Sequence, residues 1–100
     1  MSNDVWALAE INNGRLAGVS LQLASKAAEL ARSFGGASAA VALGTNTAAA
    51  ATDLGSCGVK TVYASEGAVY DAYLAQPAVE TLAALNQQHQ PRLLLLGCTN

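Results

Sequence analysis

Read for apolar spacing, the chain divides into alternating short continuous runs and helical stripes. Asp4 to Glu10, DVWALAE, is apolar through its middle and opens into the polar stretch Ile11-Asn12-Asn13-Gly14, as a buried strand followed by a turn does. From Ser20 the period lengthens. Leu23, Ala27, Leu30, Ala31 and Phe34 share one side, while Gln22, Ser25, Lys26, Glu29, Arg32 and Ser33 share the other. This predicts an amphipathic helix stopped by Gly35-Gly36. Ala37 to Leu43, ASAAVAL, is a second strand, and its alanines suit a face on which a helix packs closely.

Thr47 is expected to cap a short helix running to Leu54 and ended by Gly55, its hydroxyl accepting from backbone N–H groups two or three residues on. Lys60 to Ala64, KTVYA, is β-branched and aromatic and reads as a third strand. Val69 to Leu74 is ambiguous, at most a helical turn. Pro77 suits the first turn of a last helix whose buried side is expected to carry Val79, Leu82, Ala83 and Leu85, opposite Glu80, Thr81, Ala84, Gln87 and Gln88. Pro91 stops it, and Leu93 to Leu96 is the fourth strand.

The order β-α-β-α-β-α-β, with every connection long enough for a crossover helix, predicts an α/β doubly wound parallel sheet with right-handed crossovers. A parallel sheet is covered on both faces, so an unalternating LLLL belongs in its middle. At an edge it would set unpaired backbone groups beside bare leucine. The expectation is therefore a domain that stops partway, apparently truncated, with at least one more helix and strand to follow.

Composition narrows the function. The chain has 100 residues, 52% of them hydrophobic and 12% charged, enough for one compact unit. Net charge is −2, and the five basic residues, Arg15, Lys26, Arg32, Lys60 and Arg92, stand singly. No basic stripe exists to follow a phosphate backbone, which argues against nucleic acid as a partner. No apolar run approaches the ~20 residues of a membrane span, and MSNDVWALAE has no basic leader region, so the chain reads as cytoplasmic without membrane insertion. Cys57 and Cys98 lack a CxxC or a spaced histidine and read as small buried or turn residues, with no metal site implied.

In open α/β sheets, ligands bind beyond the carboxyl ends of the strands where strand order reverses. Those ends are Glu10 to Gly14, Gly44 to Thr47, Ser65 to Gly67 and Gly97 to Asn100. Glu10, Asn13, Gly97 and Thr99 are the switch-point candidates for ligand contact. Glu10 has two readings, a solvated turn carboxylate or partner for the following loop, or a ligand contact. No GxGxxG follows the first strand and no GxxxxGK[ST] occurs, so the dinucleotide fingerprint and the P-loop are absent. His89, among glutamines at the end of the last helix, reads as solvated or as a partner of the helix dipole. Ser56-Cys57-Gly58 is not a nucleophile elbow. No catalytic residue is expected, and the chain does not read as an enzyme.

Four blocks carry a resemblance. LAEINNGRLAGVSLQLASKAAELA (Leu8 to Ala31), VALGTN (Val41 to Asn46), LGSCGVKTVYAS (Leu54 to Ser65) and PRLLLLGCTN (Pro91 to Asn100) are similar, in order and spacing, to the opening of the electron transfer flavoprotein α subunit. Cys57-Gly58-Val59 stands where Tyr-Gly-Ala is commoner, and Cys98 stands for an alanine. The family's GRDLAPR segment would begin just past Asn100.

The resemblance implies a Rossmann-like fold of the adenine nucleotide alpha hydrolase type. It also implies that residues 1–100 are the N-terminal part of the α subunit's first domain, an incomplete domain without the FAD-binding C-terminal domain. The implied role is a scaffold in a heterodimer with the electron transfer flavoprotein β subunit, carrying electrons from flavin-dependent dehydrogenases to a quinone oxidoreductase. FAD would sit in the full-length protein outside this segment, and AMP in the β subunit, so no cofactor ligand is expected on this chain. The alternative from the same fold is an adenine-nucleotide-binding module of the universal stress protein type. That reading wants an Asp at the first strand's end, where this chain has Glu10.

Overall fold

The computed structural model describes residues 2–70 and 76–97. It contains strands β1 (Val5–Ala9), β2 (Ile11–Asn12), β3 (Arg15–Leu16), β4 (Ser38–Gly44), β5 (Thr61–Glu66) and β6 (Leu93–Leu95). The helices are α1 (Gly18–Phe34), α2 (Thr47–Gly55) and α3 (Gln76–His89), with one 3₁₀ turn at Ala68–Tyr70. The turn overlaps the start of the stretch read as ambiguous, Val69 to Leu74, whose residues 71–74 lie outside the described residues, as do residue 75 and Cys98, Thr99 and Asn100.

The main sheet has the order β5-β4-β1-β6, and every pair in it is parallel. From β1 the chain steps to β4 and then β5 with α1 and α2 on one face. It returns through α3 on the opposite face to place β6 on the far side of β1. The doubly wound α/β architecture expected from the pattern is therefore present. Strand order reverses between β1 and β6.

Alternation along β1 assigns its two faces. Val5, Ala7 and Ala9 pack toward the alanines of α1, with Ala27 and Ala31 beside Val5 and Ala7, and Ala24 beside Ala9. Trp6 and Leu8 pack with Ala39, Val41, Leu43 and the α3 residue Ala78. Ala40 and Ala42 of β4 meet Ala24, Ala50 and Leu54. Small side chains on both surfaces let α1 and α2 lie close to the sheet, as the alanine-rich β4 predicted. The stripe of α1 is turned slightly from the expected one: Ser20, Ala24, Ala27, Ala28 and Ala31 are buried, while Leu23, Leu30 and Phe34 flank them partly buried. The bulky residues fill the margins that the alanine line leaves.

α1 stops where expected. Gly35 adopts a left-handed conformation (φ 74°), and the Gly36 N–H donates back to the Ala31 carbonyl at 2.9 Å. Gly36 has a second constraint, since a Cβ there would fall on the Asn3 carbonyl. The neighbouring Ala37 N–H donates to the Asp4 carboxylate at 2.9 Å. The start of β1 and the entry to β4 are thus joined at the amino edge of the sheet.

Three local expectations are corrected. Thr47 is not the cap of α2: it is the first helical residue, preceded by Asn46 in a left-handed conformation (φ 64°) that makes no side-chain capping bond. The buried side of α3 is Ala78, Leu82 and Leu85, whereas Val79 is 45% exposed and Ala83 is exposed. A rotation by one residue about the helix axis, set by where α3 crosses the Trp6 side of the sheet, changes the buried set. Finally, β6 lies at an edge of the sheet among the described residues, not in its middle, and Leu93 and Leu96 are 38% and 46% exposed. Among the described residues it pairs with β1, and Leu94 and Leu95 pack on opposite faces of the sheet, against the Trp6 cluster and beside Val5 and Ala7.

Candidate functional site

Four chain ends converge at the carboxyl edge of the sheet. After β1 the chain turns through a hairpin, β2 and β3, whose pairs are Ile11↔Leu16 and Asn12↔Arg15. Its two-residue turn is Asn13-Gly14, with φ of 52° and 74°, the positive pair that a type I′ turn requires. Asparagine and glycine are the residues that adopt it at least cost. The stretch read as a loop is therefore a hairpin, and Asn13 serves its turn.

Glu10 sits between β1 and this hairpin and is buried, so the solvated reading of it does not hold. Its backbone N–H donates to Ser20 Oγ at 2.7 Å, and its carbonyl accepts from the Ala17 N–H at 2.9 Å and from the Ser20 hydroxyl at 3.4 Å. Ser20, almost fully buried in the first turn of α1, thereby ties that helix to the end of β1. Nothing in the apolar periodicity singles out Ser20. The Glu10 side chain accepts from the Asn12 amide at Oε2, 2.8 Å, so it does partner the following loop.

The second cluster joins the ends of β4 and β5 to α2. Parallel pairing sets Gly44 opposite Glu66. Glu66 then reaches the start of α2, where Oε2 accepts from the Asn46 N–H at 3.0 Å. Oε1 accepts from the Thr47 N–H at 2.9 Å and from the Thr47 hydroxyl at 2.8 Å. A carboxylate against the positive end of a helix is favoured both by orphan N–H groups and by the dipole. The donated bonds, from the Thr47 backbone first, then its hydroxyl and the Asn46 backbone, hold the Glu66 carboxyl below its ordinary value of 4.5. Asn46 also donates through its side-chain amide to the Gly14 carbonyl at 3.2 Å, fastening the hairpin to the same loop.

On the α3 side, Tyr70 shares hydrogen bonds of 3.1 Å with both Ser65 and Thr81. These bonds, Ser65 first, place its phenol below the ordinary 10.0. Next to them lies a mostly apolar crevice of about 190 Å³ between β4, β5 and α3, lined by Leu43, Tyr63, Ala64, Ser65, Thr81 and Leu85. Pockets that hold drug-sized molecules run to roughly 300–1,000 Å³, so this crevice does not fit a flavin.

His89 is not simply solvated. Half-buried, it packs against Trp6 and Tyr63 with ring centroids 5.6 and 5.0 Å away, and Trp6 and Tyr63 lie 5.1 Å apart. Three tilted rings at these separations form a packed aromatic cluster. Cys57 follows α2 in a turn, its thiol 3.6 Å from the Asp53 carbonyl, as a turn residue should be. Among the described residues no group of three or more His, Cys, Asp or Glu is placed to hold a metal, and no helix is long and apolar enough to cross a membrane.

The candidates that the structure describes lie along this one carboxyl edge. Glu10 and Asn13 lie there with Asn46, Thr47 and Glu66. Gly97 follows β6 on the other side of β1, and Thr99 lies outside the described residues.

Comparison with known proteins agrees with the resemblance in the four sequence blocks. Residues 5–100 match the family model described as "Electron transfer flavoprotein domain". The chain is 29% identical over 96 residues to the electron transfer flavoprotein subunit alpha of Thermoanaerobacterium thermosaccharolyticum, covering 96% of this chain and 29% of that one. It is 33% identical over 95 residues to the electron transfer flavoprotein subunit alpha of Clostridium acetobutylicum, covering 95% of this chain and 28% of that one. The chain therefore spans less than a third of the length of these relatives.

Proposed function

The chain belongs to the electron transfer flavoprotein domain family, and from that premise we propose that it is the N-terminal part of the first domain of a subunit alpha. Its function in this reading is structural. It is a scaffold that docks on a subunit beta within a heterodimer carrying electrons from flavin-dependent dehydrogenases to a quinone oxidoreductase. The match over residues 5–100 carries the reading, and the two relatives named as subunit alpha support it.

FAD, which would supply the redox chemistry of the whole protein, is assigned here to a part of the subunit outside these residues. That assignment rests on what the family resemblance of the four sequence blocks implies. The domain itself is proposed to continue past β6. The edge position of β6 and its half-exposed leucines support that, because a parallel sheet normally has both faces of its strands covered.

The adenine-nucleotide alternative draws less support. A phosphate would seek the N-terminus of a helix at the carboxyl edge, and at α2 that position already holds the Glu66 carboxylate. The test is co-purification. A tagged chain expressed with a subunit beta should retain it through gel filtration and should bind adenosine triphosphate no better than millimolar. Failure to retain any subunit beta, together with submicromolar nucleotide binding, would reverse the choice.

A further inference from the structure

Glu10 is the buried acid whose surroundings the fold leaves incomplete. It lies at the carboxyl edge of the sheet beside the strand where order reverses, the region in which open α/β sheets receive ligands. Its backbone is fully engaged by Ala17 and Ser20. Its side chain is not. The residue is 7% exposed, Oε2 accepts from Asn12, and Oε1 is buried with no hydrogen-bond partner.

A carboxylate withdrawn from water needs an opposite charge or several donors, and one neutral amide supplies neither. The chain's own cations make no ion pair with it, Arg15 included, although Arg15 pairs with Asn12 across the hairpin. Among the described residues the ion pair present is Lys26–Glu29, at 3.5 Å on α1. The Arg92 guanidinium lies 4.2 Å over the Phe34 ring, and Arg15, Arg32 and Lys60 are exposed and make no ion pair with Glu10. Residues 1, 71–75 and 98–100 contain no lysine, arginine or histidine. A water molecule would donate a bond but leave the charge unbalanced.

We propose that Glu10 is the acceptor of a binding site for one cationic hydrogen-bond donor, a guanidinium or ammonium group, entering at the carboxyl edge of the sheet beside β1. The backbone bonds to Ser20 and Ala17 hold the acceptor in place. Asn12 fixes one oxygen and leaves the other for the incoming cation. The same chemistry is offered by a free small cation and by a basic side chain of another polypeptide segment. The inference rests on Glu10 alone and is independent of the electron-carrier reading.

The test is an NMR titration of the isotopically labelled chain with ethylguanidinium, against uncharged ethylurea and matched sodium chloride. Ethylguanidinium should give saturable shifts centred on Glu10, Asn12 and Ser20, and ethylurea should not. Glu10→Gln should weaken ethylguanidinium binding about tenfold or more, the scale of a lost charge-assisted bond. Unsaturable shifts, equal binding of ethylurea, or undiminished binding by Glu10→Gln would each overturn the proposal. If the variant does not fold, the location of the wild-type shifts decides. Shifts centred on Glu66 or Asp53 in place of Glu10 would equally defeat it. An end-blocked arginine tripeptide that binds more tightly than ethylguanidinium assigns the donor to a polypeptide, and equal or weaker binding assigns it to a free solute.

Discussion

Glu66 connects two segments twenty residues apart in sequence through one carboxylate, and its chemistry sets a pH dependence. Three donated bonds favour its ionised form and lower its pKa in the folded protein. The contribution to stability is therefore complete above the unfolded value near 4.5 and is lost as pH falls through that value toward the lowered folded one. Glu66→Gln should melt below the wild type at pH 7, and the gap should close on acidification to pH ~3. Thermal unfolding followed by circular dichroism at both pH values checks this, and a gap unchanged by acid would contradict the assignment. Gly36 makes a steric prediction instead. Gly36→Ala would drive a methyl into the Asn3 carbonyl, so either β1 or the α1–β4 connection must move. A loss of about 1–3 kcal/mol or more in urea unfolding is expected, the range of overpacked sites. Neither effect is written in local sequence: Glu66 looks like a polar strand end, and Gly36 like the second half of a stop signal.

At the scale of the elements, the helices differ in how they are held. α2 is anchored by Leu54, fully buried among Ala9, Ala40, Ala42 and Val59. Leu54→Ala should cost about 2–5 kcal/mol, because the surrounding alanines are too short to close the cavity. Unfolding midpoints in urea at unchanged slope would measure it. α3 buries only Ala78 fully, with Leu82 and Leu85 partly covered. In the sequence, Val79 and Ala83 satisfy the same spacing as Ala78 and Leu82, rotated by one residue. Periodicity shows that a helix has an apolar side but does not choose between two adjacent alanine-bearing sides. β6 carries the last element-scale prediction. Leu94 packs against the Trp6 cluster, whereas Leu96 stands 46% exposed beyond the strand. Leu96→Lys should therefore reduce self-association in sedimentation without lowering the melting temperature, while Leu94→Lys should unfold the chain. The opposite ranking would show that Leu96, and not Leu94, is the residue held against the Trp6 cluster.

For the whole molecule, the two sides of the sheet have separate duties. The α1 and α2 side is an alanine-lined contact that holds the layers close, and the α3 side carries the aromatic cluster and the small crevice. A flavin needs a large preorganised cavity with fixed polar contacts, and the crevice is too small for one. Purified chain mixed with FAD and passed through gel filtration should show no absorbance band near ~450 nm. A retained band would remove the assignment of FAD to another part of the subunit. The family resemblance carried by LAEINNGRL, VALGTN and the two later blocks was legible because each block spans a strand end and its turn, where residue type is tightly constrained. The Asn13-Gly14 hairpin was equally legible as a dipeptide signal, but its strands are two residues each, too short to show alternation.

The sequence by itself determined the alternation of elements, the parallel sheet wound on both sides, and the close packing that alanines permit. Those follow from spacing along the chain and from crossover lengths, which are local quantities. Only the tertiary structure decided that β1 lies between β4 and β6, that Glu66 faces the start of α2, and that Glu10 is buried with one oxygen unmet. Each of these depends on which strands pair and in what register, and register joins residues that are distant in sequence. A hydrophobic pattern records which side of an element is covered, and leaves unrecorded which neighbour covers it.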